Sequence, residues 1–291
     1  MASTEQDAID SAARQVMQQY AIPGLAIAVT VDGHRSFYNY GVASKQTQQK
    51  VSEETLFEIG SISKTFTATL ATHAEATGKL KLTDTAASYL PELADTDFGN
   101  LQLFHLGTHT VGGIPLQVPD EVQTREQLLE YLRTWKPAYK TGTMRTYANP
   151  SIGALGWITA KSLEQDFSTA MTQTIFQPLG FTSTYLSVPA QKMSSYAWGY
   201  NKDKKPVRVN PGMLDSEAYG IKTSAADLLR YVQAQLQPAS LAPDLHQAIA
   251  NTHIGYYRVG DMTQGLGWER YAYPISLEKL QNGNSTPMAM E

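Results

Sequence analysis

Ser61 and Lys64 stand three residues apart in Phe57-Glu58-Ile59-Gly60-Ser61-Ile62-Ser63-Lys64-Thr65-Phe66, and the chain beyond them reads as a helix. Phe66, Leu70, His73 and Ala74 recur at helical spacing after Thr65, and Gly78 is a stop signal. Residues i and i+3 share a helical face, so a hydroxyl and an amine can converge there. Gly60 and Ser61 fall at the helix start, where backbone N–H groups lack intrahelical acceptors and the dipole favours an alkoxide. A lysine desolvated near that positive end loses its proton more easily. Nucleophile, candidate base and partial anion site thus lie within one turn.

Tyr147-Ala148-Asn149-Pro150-Ser151 supplies a second set, just before another helix. A tyrosine with a pKa of about 10 is a poor base unless cations stabilise its phenolate. Lys64 could provide that cation, or could itself be the base. Asn149 offers an amide to the surroundings of Lys64 or to a substrate carbonyl. The same Asn149-Pro150-Ser151 also reads as an Asx-type helix cap.

The elements that must position these groups are legible in outline. Asp7 to Tyr20 is an amphipathic helix stopped by Pro23; Gly24 to Val31 and Ser36 to Val42 are strands joined at Asp32-Gly33. Leu80 to Asp84 opens a short helix ending near Pro91, and further helices are expected over 104–110, 126–135, 151–164 and 168–176. Residues 181 to 222, rich in Tyr, Pro and Gly, read as a long shaped loop. Ser224-Ala225-Ala226-Asp227 is a capping box opening a helix to about Gln237, and another helix spans about Pro243 to Thr252. Tyr256 to Met262 and Leu266 to Tyr273 read as short strands or extended loop.

A chain of 291 residues can bury one large core or two intergrown ones. With 17% charged residues and a net charge of −4, no basic stripe points to nucleic acid, and no long apolar run points to a membrane. Cysteine is absent, which excludes disulfides, thiolate catalysis and Cys-based metal sites. The histidines at 34, 73, 105, 109, 246 and 253 form no zinc motif, and His105 and His109 are expected to pack or cap in a short helix. No metal and no cofactor is expected. The opening residues are not a secretory signal, which leaves a cytoplasmic protein or a mature form with an added start Met.

The segment 57–66, with Gly78-Lys79-Leu80 behind it, resembles the nucleophile segment of class C β-lactamases. Ile114-Pro115-Leu116-Gln117-Val118-Pro119-Asp120-Glu121-Val122, Tyr147-Ala148-Asn149-Pro150-Ser151-Ile152-Gly153, Asn210-Pro211-Gly212 and Ala218-Tyr219-Gly220 resemble later segments of that family, in order and spacing. Each motif is weak alone, and their combination over essentially the whole chain is specific. The resemblance implies a two-lobed α+β fold, an all-helical lobe beside an antiparallel sheet flanked by helices. Residues 1–60 and 223–291 would belong to the sheet lobe and 61–222 to the helical one.

It also implies a small-molecule β-lactam substrate, cephalosporins favoured, and a periplasmic location. Ser61 would be acylated, with Lys64 and Tyr147 as the proton-transfer pair. Gln117 and Asn149 would contact the acylamido side chain, and Tyr219 would wall the pocket. Class A enzymes carry a Ser-Asp-Asn motif and a catalytic glutamate that are not in place here. The rival readings are a carboxylesterase or D-alanyl-D-alanine peptidase of the same superfamily, or a β-lactam-binding sensor that acylates without turnover. The family's Lys-Thr-Gly strand is not found before Glu291. Lys140-Thr141-Gly142 lies only five residues before Tyr147, where it cannot line the opposite wall. The resemblance therefore implies a sheet incomplete in this chain, either because the chain is truncated or nicked or because a second polypeptide supplies the C-terminal strands.

Overall fold

A computed structural model describes residues 2–236 and 240–278. Helix α1 (Ala2–Tyr20) leads into strands β1 (Gly24–Val31), β2 (His34–Gly41) and β3 (Phe57–Glu58), then a 3-10 turn (Gly60–Ile62) and α2 (Ser63–Ala76). Helices α3 (Leu103–Thr108), α4 (Arg125–Thr134), α5 (Asn149–Ser162) and α6 (Phe167–Met171) follow. The stretch from 181 to 222 holds β4 (Thr184–Tyr185), β5 (Gly199–Tyr200), β6 (Pro206–Val207) and α7 (Asp215–Tyr219), and ends in β7 (Lys222–Thr223). Last come α8 (Ala225–Leu236), α9 (Pro243–Thr252), β8 (Tyr257–Val259), β9 (Met262–Gln264) and β10 (Glu269–Tyr271). The fold is mixed α+β with antiparallel sheets.

The described chain forms two compact units. The first comprises the described parts of Met1–Glu58 with Leu179–Asn210 and Ile221–Leu236. Its β1–β2 hairpin pairs from Gly24 with Gly41 to Val31 with His34. Asp32 (φ 49°) and Gly33 (φ 82°) make the turn, and positive φ at both central residues is the type I′ geometry that matches strand twist. Helix α8 lies on β1, where Gln233 Nε2 donates to Thr30 Oγ1 at 3.1 Å.

One expectation in this unit is corrected, and another falls partly outside the described residues. Ser224 caps α8 through its hydroxyl, which accepts from Asp227 N at 3.2 Å. The Asp227 carboxylate does not complete the box. It accepts instead from Thr182 N, Ser183 N and Thr184 Oγ1, because Ser183 and Thr184 are buried and their donors need an acceptor. The helix was expected to reach Gln237, which lies outside the described residues; α8 is described to Leu236.

The second unit comprises Ile59–Pro178, Pro211–Gly220 and the described parts of Gln237–Glu291. Here α2 is buried almost all round, packed by α5, α7 and α9. Such a helix should be apolar on every face, yet α2 carries Thr65, Thr67, Thr69 and Thr72. Each hydroxyl finds a carbonyl. Thr65 donates to Ile62 O at 2.8 Å and Thr69 to Thr65 O at 2.8 Å. Thr67 reaches Glu217 O at 2.6 Å, and Thr72 reaches Ala248 O at 2.8 Å. The hydroxyls thus bond α2 to α7 and α9 at the cost of no orphaned donor.

These bounds cut the chain differently from segments 1–60, 61–222 and 223–291, because 179–210 lies with the N-terminal hairpin and 243–278 with α2. Two other departures are local. The short helix expected to end near Pro91 is a pair of 3-10 turns, Ala86–Ser88 and Pro91–Leu93. Within the expected long loop, α7 forms a single helical turn, too short to leave a period in the sequence.

Gly267 marks a close approach to α2. Its φ is +71°, its N–H donates to Gly107 O at 3.0 Å, and a Cβ there would stand 2.9 Å from Lys64 O. Gly267→Ala combines a disfavoured backbone region with a clash against backbone. It should cost about 1–3 kcal/mol, measured as a shifted urea midpoint with unchanged slope. An unshifted midpoint would show that the 265–268 loop can move off α2.

Candidate active site

Gly60 adopts φ +53°, a conformation costly for other residues, and it turns the chain into the 3-10 segment that carries Ser61. The helix proper starts at Ser63, so Lys64 falls in its first turn and its side chain runs back towards Ser61. Lys64 is only 2% exposed. Its Nζ donates to Ser61 Oγ at 3.0 Å, to Asn149 Oδ1 at 2.7 Å and to the Ala218 carbonyl at 3.1 Å. An ammonium has three donors, and here all three are used. Burial lowers the Lys64 pKa to about 8, against a smaller opposing pull from Asp215.

Asn149 was read as either a functional amide or a cap, and the structure separates the two. Ala148 is the N-cap residue of α5 and makes no side-chain cap; Asn149 is the first helical residue, and its oxygen goes to Lys64. Its amide NH2 is the remaining group that can donate to a ligand.

Tyr147 lies on the extended segment before α5, with its ring 4.8 Å from Lys64 Nζ and its hydroxyl hydrogen-bonded to Ser61. Burial raises its pKa, Glu269 adds to the rise, and Ser61 and Arg145 oppose it. The phenol is therefore the resting form, and Lys64 is the group poised nearer neutrality.

A cavity of about 430 Å³ opens beside these groups, lined by Ser61, Lys64, Tyr147, His109, Arg145, Gln264 and Glu269, among others. The last four were not picked out from the sequence as site residues. Arg145 is 9% exposed; its Nε donates to Gln264 Oε1 at 2.5 Å and its Nη2 to Glu269 Oε1 at 2.5 Å. That network ties the Tyr147 segment to β9 and β10. Arg145 stands two before Tyr147 on an extended segment and so shares its face, which is a usable signal. Gln264 and Glu269 are far along the chain and carry no such signal.

His109 caps and packs, as expected of it, and it does so against the site. It ends α3, in the left-handed region at φ 60°, and its ring lies against Tyr147 at 4.7 Å between centroids. His109 Nδ1 accepts from Ala148 N–H at 3.3 Å, and His109 O accepts from Thr146 N at 2.9 Å. One residue thus brackets the backbone on both sides of Tyr147. Burial first, then the charges of Arg145 and Lys64, hold the imidazole neutral well below the usual histidine range.

Gln117 and Tyr219 meet each other rather than the cavity wall. The Gln117 amide hydrogen-bonds the Tyr219 phenol, which also pairs with Asp215, and Gln117 is exposed. Lys140-Thr141-Gly142 is a turn: Thr141 Oγ1 donates to Val111 O at 3.0 Å, and Gly142 adopts φ +83°. Among the described residues no cluster of three or more His, Asp or Glu is placed to hold a metal ion, and no helix is long and apolar enough to cross a membrane.

The β-lactamase family model matches residues 9–285. A β-lactamase from Pseudomonas fluorescens is 54% identical over 283 residues, covering 97% of this chain and 79% of that protein. The crystal structure of a β-lactamase/D-alanine carboxypeptidase from Pseudomonas syringae superposes with a TM-score of 0.94 at 50% identity, covering 98% of this chain and 84% of that one. A class C β-lactamase in complex with cefoxitin gives 0.93 at 46% identity, covering 98% and 82%.

The neutral His109 carries a pH dependence. In the unfolded chain a histidine takes up a proton near 6.5, whereas the folded site resists it. The unfolded state therefore binds more protons below 6.5, and stability falls as pH drops through that range. His109→Phe keeps the ring stack but leaves the buried Ala148 N–H without its acceptor. It should lower the melting temperature at pH 7.5, an effect of about 1–3 kcal/mol, and flatten the decline between pH 6.5 and 5. An equally steep decline in the variant would assign it to other groups.

Proposed function

This chain belongs to the β-lactamase family and hydrolyses β-lactams, and we propose that it does so through an acyl-enzyme on Ser61, with Lys64 as base and Tyr147 as acid. The observation that carries this reading is the Lys64 amine, buried and held 3.0 Å from Ser61 Oγ by two fixed acceptors. As an ammonium, Lys64 donates to Ser61. Once neutral it has a lone pair, and the bond reverses so that Ser61 O–H donates to Nζ. That is the arrangement a nucleophilic hydroxyl requires.

Attack by Oγ on the lactam carbonyl passes the Ser61 proton to Lys64. The C–N bond breaks as the ring nitrogen takes the Tyr147 phenolic proton, and the Lys64 ammonium beside that ring reprotonates Tyr147. Water then attacks the ester, giving one proton back to Ser61 Oγ as the acyl bond breaks. The net change is lactam plus water to the open amino acid, with Ser61, Lys64 and Tyr147 restored. Asn149 offers its NH2 to the acylamido carbonyl. Gln117 and Tyr219, bonded together next to Ala218, form the flank that receives the rest of that side chain. Cephalosporins are the favoured substrates, in keeping with the cefoxitin held by one structural relative.

D-Alanyl peptide hydrolysis is the second reading, since the Pseudomonas syringae structure carries both activities in its description. Both reactions share the acyl-Ser61 stage, so they separate in turnover. A cephalosporin should turn over at least tenfold faster than a D-alanyl-D-alanine peptide, and an acyl-enzyme that persists for hours would instead mark a sensor. A periplasmic location goes with the reading; a chain with no cysteine has no thiol to oxidise there.

Ser61→Ala should abolish the penicillin adduct seen by mass spectrometry while the protein still melts cooperatively. An adduct on any other residue would remove Ser61 from the mechanism.

The state of Lys64 sets the pH profile. Its pKa of about 8 means that the base form grows with pH up to that point. The free-enzyme parameter kcat/KM should rise about tenfold per pH unit below 8 and level off above it. Were Tyr147 the base, its raised pKa would place the rise beyond 10, so a plateau below 7 or a rise above 10 would each refute Lys64.

A further inference from the structure

A second cavity of about 390 Å³ lies within the same unit as Ser61, lined by α4, α5, α6 and α7 and sharing no lining residue with the first. Its apolar surface comes from Trp157, Phe167 and Leu129. Trp157 and Phe167 are 7% and 9% exposed, so their rings are fixed by packing rather than free to swing. Its charged lining residues are Glu92, Arg125, Lys161, Asp166 and Glu217. The Arg125 guanidinium lies over the Trp157 ring, 4.4 Å from its centroid. The Glu217 stem is pressed against α5, where a Cβ on Gly156 would stand 2.9 Å from its Cβ and Cγ.

The other charged groups around the cavity are already engaged. Lys161 pairs with Glu92 at 3.8 Å, and Asp166 caps α6 through Thr169 N at 3.0 Å. Glu217 differs. Its carboxyl takes a hydrogen bond from its own backbone N–H and is pushed up to about 7, chiefly by burial; Arg125 is near enough to oppose that rise. Yet among the described residues Glu217 enters no ion pair. A desolvated carboxylate without a counter-charge is costly. Here it stands in one cavity with a cation held against an indole, across apolar walls. Opposite charges kept apart over an aromatic floor match a molecule that carries both charges and an apolar group between them.

We propose that this cavity binds a small zwitterion with an apolar side chain, of amino-acid or dipeptide size. Its ammonium meets Glu217, its carboxylate meets Arg125, and its side chain lies against Trp157 and Phe167. The site is not isolated from Ser61. The Glu217 carbonyl accepts from Thr67 Oγ1 at 2.6 Å, and the next carbonyl, that of Ala218, accepts from Lys64 at 3.1 Å. A ligand that draws on Glu217 acts on the same single turn of helix that holds the base.

Titration calorimetry on the full chain with D- and L-phenylalanine, phenethylamine and N-acetylphenylalanine tests this. Phenylalanine of at least one hand should bind saturably, and N-acetylphenylalanine, lacking the ammonium, should bind about tenfold more weakly or not at all. Glu217→Gln should weaken phenylalanine about tenfold or more without lowering the melting temperature, since it removes a buried charge. The exposed Arg125→Gln should weaken phenylalanine but leave phenethylamine, which has no carboxylate, unchanged. Binding should persist in Ser61→Ala saturated with a cephalosporin. Absence of saturable binding at tens of millimolar, equal affinity in Glu217→Gln, or displacement by the cephalosporin would each overturn the proposal. None of these outcomes depends on whether Ser61 is the nucleophile.

Discussion

Taking a lysine ammonium out of water costs several kcal/mol unless its protons find acceptors. Lys64 finds them on three separate pieces of chain: the turn carrying Ser61, the first residue of α5, and a carbonyl of α7. Those acceptors include the hydroxyl and the amide on which the proposed mechanism rests. The requirement that makes the buried lysine tolerable therefore also sets Ser61, Asn149 and Ala218 at fixed distances from one nitrogen. Burial of the cation and assembly of the site are one event, and each of the three elements is held by packing against α2.

The helix that carries Lys64 is unusual in being buried and polar together. Its threonines return their hydroxyls to carbonyls of α2 itself or of the helices around it. Leucines at those positions would bury equally well, but they could not bond α2 to α7 and α9. The hydroxyl of Thr67 holds α7 one residue before the carbonyl that Lys64 uses. Positioning of Lys64 is thus shared between a charge-assisted bond and an ordinary one, side by side.

Around Tyr147 the structure uses charge differently. Arg145 lies 5.7 Å from the ring and would favour a phenolate, but its guanidinium is bonded to Glu269, which works against one. His109 contributes a neutral ring and a backbone clamp and no charge. The surroundings of Tyr147 keep its proton on, while those of Lys64 make its proton easier to lose. Two groups that in water titrate close together are separated by desolvation acting in opposite directions on a cation and a neutral acid.

Much of this was legible before any coordinates. The Ser61–Lys64 spacing, the helix that follows it, the Asp32-Gly33 hairpin and α9 all rest on local rules of periodicity and turn chemistry, which operate within a few residues. The motif order also identified the family, because each segment is short but the sequence of segments is not repeated by chance. The rest required long-range pairing. Asn149 was ambiguous between cap and site because both uses need the same amide, and only the approach of Lys64 decides. Asp227 reads as half of a capping box, but the loop donors at 182–184 claim it. Gln264 and Glu269 enter the site only because the β8–β10 strands fold back on Arg145, and Glu217 faces a cavity only because α4, α5, α6 and α7 surround it. Local sequence determines which residues can do chemistry; desolvation and the partners brought by distant segments decide which protonation state each one holds.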